Sequence, residues 1–178
     1  MKRSRLSFLS SSFVLALALG FVLALAPAAW ATCTCDNTII GTSGNDILTG
    51  GAGVDCIYGG DGTDQLYGNE SGDCLYGEGD PDLLWGGAGD DELFTGPSGI
   101  NGDFADADVG ADLIDGGDDV DTLVGYRGND IIVGGNGDDD MYGGADNDSL
   151  TGQAGTDRAD GAAGTDFCDA ETEVNCEL

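Results

Sequence analysis

The chain has 178 residues, 33 of them Gly and only 3 Pro, with 34 acidic against 5 basic side chains and no His. Without imidazole there is no zincin helix, no Ser-His or Cys-His nucleophile and no ordinary proton carrier for hydrolysis. A formal net charge of -29 excludes nucleic acid as a partner, because a polyanion needs a basic surface, and it calls for partners of positive charge.

In chain order, the first expected element is a Sec-type signal peptide over residues 1–31. Lys2, Arg3 and Arg5 precede the apolar run Phe13 to Ala26, and Ala29-Trp30-Ala31 has the small-residue pattern of a cleavage site. No later segment is apolar enough to span a bilayer. The expectation is a secreted, extracellular chain without a transmembrane segment once the signal is removed. What remains keeps Arg127 and Arg158 as its cations, against all of the acidic residues. So much charge and glycine opposes collapse unless something neutralises it. The acids are 28 Asp and 6 Glu, a bias toward the short carboxylate that suits tight turns and turn-borne cation sites.

Residues 32–40 read as an N-terminal cap. After them a nine-residue period begins. Asp recurs at Asp46, Asp55, Asp64, Asp73, Asp82 and Asp91, and again at Asp103, Asp112, Asp121, Asp130, Asp139, Asp148, Asp157 and Asp166. Between the two blocks (41–94 and 98–169) the step is twelve, which places a short insertion at 95–97. With Asp as position six, position one is Gly in all units but those of Ser98 and Ala107, and position four is Gly in nine units and replaced elsewhere, by Asp80, Asp119 and Asp146 among others. Position eight is apolar: Leu48, Ile57, Leu66, Leu75, Leu84 and Leu93, then mainly Ile114, Leu123, Ile132, Met141 and Leu150, with Ala105, Ala159 and Cys168 smaller.

This pattern predicts a turn of about six residues followed by a strand of about three, in which period-two alternation buries position eight. Two such units make a coil of about eighteen residues, and stacked coils form two parallel sheets around one apolar column. A solvated linker would have no reason to keep an apolar residue two places after each Asp.

The units GAGVDCIYG, GDGTDQLYG, GAGDDELFT and GNGDDDMYG resemble the RTX (haemolysin-type) calcium-binding nonapeptide, and the resemblance extends from Gly41 to about Cys168. It implies an all-β, right-handed parallel β-roll that holds Ca²⁺ between loops of adjacent coils, through backbone carbonyls and the position-six Asp carboxylates. Pairing those Asp eighteen apart within each block sets a ceiling of about ten ions. Hard oxygen donors favour Ca²⁺ over transition metals. The function it implies is calcium binding coupled to folding.

Six cysteines in an exported chain predict disulfides. In the roll Cys56 and Cys74 fall on neighbouring strands and are expected to pair. Cys168 and Cys176 would fold the tail, residues 170–178, over the C-terminal end. Cys33 and Cys35 pair with each other or with another chain. Position nine carries Tyr58, Tyr67, Tyr76, Trp85 and Phe94 in successive units. These rings pack on the sheet or offer a surface to a polysaccharide or protein, so an adhesin or carbohydrate-binding module is the alternative function. No catalytic residue is singled out and no enzyme is expected: no Gly-x-Ser-x-Gly elbow or phosphate loop occurs. Position five is too irregular for a flat ice-binding face.

Overall fold

A computed structural model describes residues 33–97 and 102–176; the expected signal peptide at 1–31 lies outside the described residues. The polypeptide forms sixteen strands and, among the described residues, no helix. The odd-numbered strands make one parallel sheet, in the order β1 (Asn37–Ile40), β3 (Asp55–Asp61), β5 (Cys74–Gly79), β7 (Glu92–Phe94), β9 (Leu113–Asp118), β11 (Ile131–Asn136), β13 (Ser149–Ala154) and β15 (Phe167–Asp169). The even-numbered strands make the second: β2 (Ile47–Thr49), β4 (Gln65–Glu70), β6 (Leu83–Ala88), β8 (Phe104–Val109), β10 (Thr122–Arg127), β12 (Asp140–Ala145), β14 (Arg158–Ala163) and β16 (Thr172–Val174). Each strand pairs with the strand one coil away, as in Leu66↔Leu84 and Ile132↔Leu150. This is the parallel β-roll that the period predicts.

The strands are longer than the period suggests. Most run six residues, continuing from positions seven to nine through one to three of the next unit, and expose alternate sides, as in the partly buried–buried alternation of β6 and β13. Position eight and position one both face inward. The position-eight side chains from Ile57 to Ala159 are all fully buried between the sheets, one file from each sheet. Each file is one side chain wide, which leaves little to close around a deletion.

The two sequence blocks form one uninterrupted roll. Thr95, Gly96 and Pro97 are not an insertion: Gly77 stacks on the Thr95 carbonyl, Gly96 approaches the Glu78 carbonyl and Pro97 bridges Asp118, so the three fill positions one to three. Past Gly102 the coil continues in register, with Leu84↔Ala105 and Leu93↔Ile114. Buried Thr95 compensates for its bulk by donating its hydroxyl to the Gly116 carbonyl.

The cysteines pair differently from the expectation. Cys56 and Cys74 are register partners on β3 and β5, but neighbouring side chains on parallel strands run side by side instead of converging, a poor geometry for a disulfide. Each accepts a cysteine from the N-terminal segment instead: Cys33 bonds Cys74 and Cys35 bonds Cys56. Cys33 and Cys35 therefore do not bond each other. The segment crosses two strands of the odd sheet and buries both sulfurs, leaving Cys56 6% and Cys74 0% exposed. At the other end Cys168 bonds Cys176 and β16 pairs with β14.

Leu123→Ala would open a cavity between Ala105 and Met141 in the even-sheet file. It is expected to cost about 2–5 kcal/mol, read as a fall in the denaturant midpoint measured in calcium, whereas Val120→Ala, on an exposed loop, should stay within about 0.5 kcal/mol.

Candidate metal centre

Each position-six Asp sits where a loop enters a strand, and eighteen residues of coil, or twenty-one across the insertion, bring the next one beside it. The backbone N–H of Asp55 donates to Asp73 Oδ1 at 2.7 Å, that of Asp73 to Asp91 Oδ1 at 2.6 Å, and that of Asp91 to Asp112 Oδ1 at 2.8 Å. The series continues through Asp130, Asp148 and Asp166. A second ladder links Asp46, Asp64, Asp82, Asp103, Asp121, Asp139 and Asp157 in the same way. One ladder leads into each sheet.

Oδ1 is thus committed to the neighbouring coil. Oδ2 is buried without a hydrogen-bond donor at Asp64, Asp73, Asp82, Asp91, Asp112, Asp121, Asp130, Asp139, Asp148, Asp157 and Asp166. A buried, unpartnered carboxylate oxygen is costly, and a regular column of them is a donor set that wants a cation. The first coil differs. Asp46 Oδ2 accepts the Thr42 N–H at 2.6 Å, and Asp55 Oδ2 accepts the Gly51 N–H at 2.6 Å, so these two are satisfied within their own loops. The sequence treats all fourteen alike; the structure separates this pair.

The glycines serve two distinct purposes. Position-one glycines have ordinary negative φ but face the ladder: a Cβ on Gly59 would lie 2.5 Å from Asp64 Oδ2 and 2.7 Å from the Gly77 carbonyl oxygen. A carboxylate oxygen and a carbonyl oxygen converge there, and only a missing side chain leaves them room. Positions two and four instead take left-handed backbone, at Gly60 and Gly62 as at Asn69, Glu78, Asp80 and Tyr126. Glycine is favoured there by conformation.

Burial pushes the carboxyls of Asp64, Asp73, Asp82, Asp91, Asp112, Asp121, Asp130, Asp139 and Asp148 up, opposed by the N–H bond from the preceding coil and assisted by the charges of neighbouring acids. Asp73, Asp139 and Asp148 rise to about 6, Asp82 and Asp91 to about 7, and Asp112 and Asp121 to about 8. The oxygen-only surroundings, with every described cysteine in a disulfide, fit a hard divalent cation rather than a transition metal. Such an ion would supply the positive charge that Arg127 and Arg158 cannot: among the described residues the one ion pair is Arg158 with Asp160, at 3.1 Å.

The period alone misses Glu171. It accepts the Asp157 N–H at 3.0 Å and ends one ladder with a longer carboxylate, only fourteen residues on. The hint was its place one residue before a further strand triplet, Thr172–Val174. Acceptors at position five were also missed: Asn45, Asn129 and Asn147 each receive an N–H from the following coil.

The run of five aromatics divides by parity. Tyr58, Tyr76 and Phe94 stack on the odd sheet at 4.7 and 5.1 Å, within 6° of parallel, and Tyr67 stacks on Trp85 on the even sheet at 4.6 Å. Stacked rings cover one another's faces, so the two rows are cross-strand packing along their length rather than a flat platform.

These features define a parallel solenoid with two ladders of buried carboxylates. The chain belongs to the RTX calcium-binding nonapeptide repeat family, whose model matches residues 36–66, 67–97, 98–132, 115–150 and 133–168. It is a calcium-binding β-roll protein. A comparison with curated proteins gives no match.

The pH dependence in chelator has a defined sign. The Asp73 and Asp112 carboxyls titrate near 3.8 when unfolded and at about 6 and about 8 in the roll, so their contribution favours the roll below about pH 4 and is lost as pH rises through 6 to 8. Circular dichroism in chelator should show more strand at pH 5 than at pH 8.5, and saturating calcium should flatten the difference.

Proposed function

We propose that this chain is exported by its N-terminal segment and folds outside the cell when several Ca²⁺ ions bind between adjacent coils. The observation that carries this reading is the column of buried Oδ2 atoms without a donor at Asp64, Asp73, Asp82, Asp91, Asp112, Asp121, Asp130, Asp139, Asp148, Asp157 and Asp166. At Asp64, Asp73, Asp82, Asp91, Asp121, Asp130, Asp139 and Asp166 the carboxylate lies beside a convergent backbone carbonyl at a position-one glycine. These Asp residues would hold the ions, and Asp46 and Asp55, with their oxygens engaged in the first coil, would contribute less. Asp103, whose Oδ1 accepts the Asp82 N–H, would join them.

At low calcium the self-repulsion of the acids keeps the chain open. Binding of the ion to the folded state alone then stabilises it through mass action. A translocated chain has to remain unfolded until it is outside, and extracellular modules of this kind typically bind calcium at roughly 10⁻⁴ to 10⁻³ M. The role is that of a binding and structural module; rolls of this family are typically non-catalytic.

The test is a Ca²⁺ titration with Mg²⁺ as control, followed by far-UV circular dichroism and by the fluorescence of Trp85. A cooperative gain of strand signal with Ca²⁺ and not Mg²⁺ is expected. An ordered chain in chelator at neutral pH, or an equal response to Mg²⁺, would overturn coupled folding. Asp121→Asn keeps the acceptor for the Asp103 N–H but removes a ladder charge, and should move the calcium midpoint upward by about tenfold, the effect of one charge-assisted contact of roughly 1.5 kcal/mol. Asp118→Asn, on the exposed side chain that accepts from Asn136, should move it by less than about twofold.

A further inference from the structure

On the even sheet the aromatic row ends at Trp85. One face of its indole stacks on Tyr67. On the other side the register partner is Asp106, which has no ring, and Phe104 lies tilted at 54° with its centroid 6.3 Å away. The indole therefore ends its row against a pocket of about 350 Å³, lined by Trp85, Gly87, Asp106, Asp108 and Tyr126.

Sequence and register explain why the pocket is there. Gly87, Asp108 and Tyr126 form the neighbouring column on β6, β8 and β10. Gly87 has φ 110° and adds no side chain beside the indole. Tyr126, at φ 74° and 53% exposed, stands as the far wall. The Asp106 carboxyl accepts the Asp108 backbone N–H, while its Oδ1 is buried without a donor. Among the described residues neither Asp106 nor Asp108 is in an ion pair. Both belong to positions nine and two, outside the position-six ladders.

We infer that this pocket is a binding site for a guanidinium group, stacked on Trp85 where the next ring of the row would stand and hydrogen-bonded to the carboxyls of Asp106 and Asp108. A guanidinium is planar, stacks on aromatic faces and presents a fork of N–H donors that matches carboxylates. It also supplies what this part of the sheet lacks: a cation, and donors for an acceptor the protein leaves unmatched. The strongly acidic chain raises the local concentration of any such cation. A neutral sugar would use the same indole as a platform, but it would forgo the charge of two unpaired carboxyls. The shared chemistry is the guanidinium, carried either by a small molecule or by an arginine side chain of another protein.

The test is a titration of the full chain, held folded in saturating calcium, with N-acetylarginine methylamide. Binding is read by calorimetry and by the NMR shift of the Trp85 indole N–H. The lysine analogue should bind several-fold more weakly, since its ammonium cannot stack as a plane, and methyl glucoside should not compete. Asp106→Asn, with circular dichroism confirming the fold, should weaken binding by about tenfold, as expected for loss of one charge-assisted contact. Asp61→Asn, which removes an equal charge from the odd sheet, should leave it within about twofold. Equal losses in the two variants would reduce the effect to general acidity and overturn the site. Displacement by methyl glucoside, or an unmoved indole resonance, would overturn it as well. A short peptide carrying one arginine between glycines then distinguishes the sources: tighter binding than the free amide points to a protein partner, equal binding to a small molecule, and both uphold the guanidinium site.

Discussion

The roll depends on a conflict of charge that it cannot resolve from its own side chains. Every coil returns a carboxylate to the same two lines. From Asp64 to Asp166 these acids have 3% exposure or less, and each uses one oxygen to hold the N–H of the coil before it. That bond sets the spacing of the sheets at their edges, so the acids cannot be turned outward without breaking the register. Burial then penalises the ionised form, and the second oxygen of nearly all of them has no donor. A cation between coils would satisfy charge and acceptor together, so under the proposed function the feature that most opposes folding in chelator would become, with calcium, the seam that joins one coil to the next.

Much of this was legible because period and chemistry agree. The recurrence of Asp every nine residues, with an apolar residue two places later, gave the coil length, the two sheets and the apolar core between them, and the structure differs little in that respect. What was not legible depends on stacking between coils. The inward face of position one is visible only when strands extend to six residues, so its glycines read as turn glycines, although they serve to clear space beside Oδ2. Thr95 occupies such a position without being glycine, so the period alone does not show that it continues the coil. The cysteine pairing failed for a similar reason: closeness in register is not convergence of side chains, and a segment lying across two strands can satisfy both sulfurs where the strands themselves cannot. Among the ladder acids, only the hydrogen bonds from Thr42 and Gly51 reveal that Asp46 and Asp55 are already satisfied.

The non-glycine residues at left-handed positions show how strongly the coil dictates local backbone. Asn69, Glu78, Asp108, Tyr126 and Gln153 all adopt φ between 71 and 86°, a region that side chains with a Cβ ordinarily avoid at a cost of order 1 kcal/mol. The neighbouring coils hold them there through parallel pairing on both sides, as at Tyr126, which is paired to Gly144. The exposed, charged or aromatic residues of the roll can therefore vary without changing its path. Position two is thus free to carry a tyrosine beside a glycine notch, and a regular scaffold acquires one irregular pocket.

The two ends obey different constraints. In a solenoid each coil is stabilised by its neighbours, so a terminal coil has an open edge and half-covered core. At the N-terminus Ile40 and Ile47 stay 73% and 70% exposed, yet the first coil is fastened to β3 and β5 through the Cys33 and Cys35 bridges. Its two position-six acids take donors from their own loops, so its order demands the least from a cation. The C-terminal end is closed by β16, by Glu171 in place of a further Asp, and by the Cys168 bridge to the tail. The charge conflict is greatest between these ends: Asp112 and Asp121 are pushed furthest up, to about 8, in the middle of the ladders and immediately after the insertion. Covalent bonds and local hydrogen bonds hold the roll where a neighbour is missing, and the demand for cations is concentrated where neighbours are present on both sides.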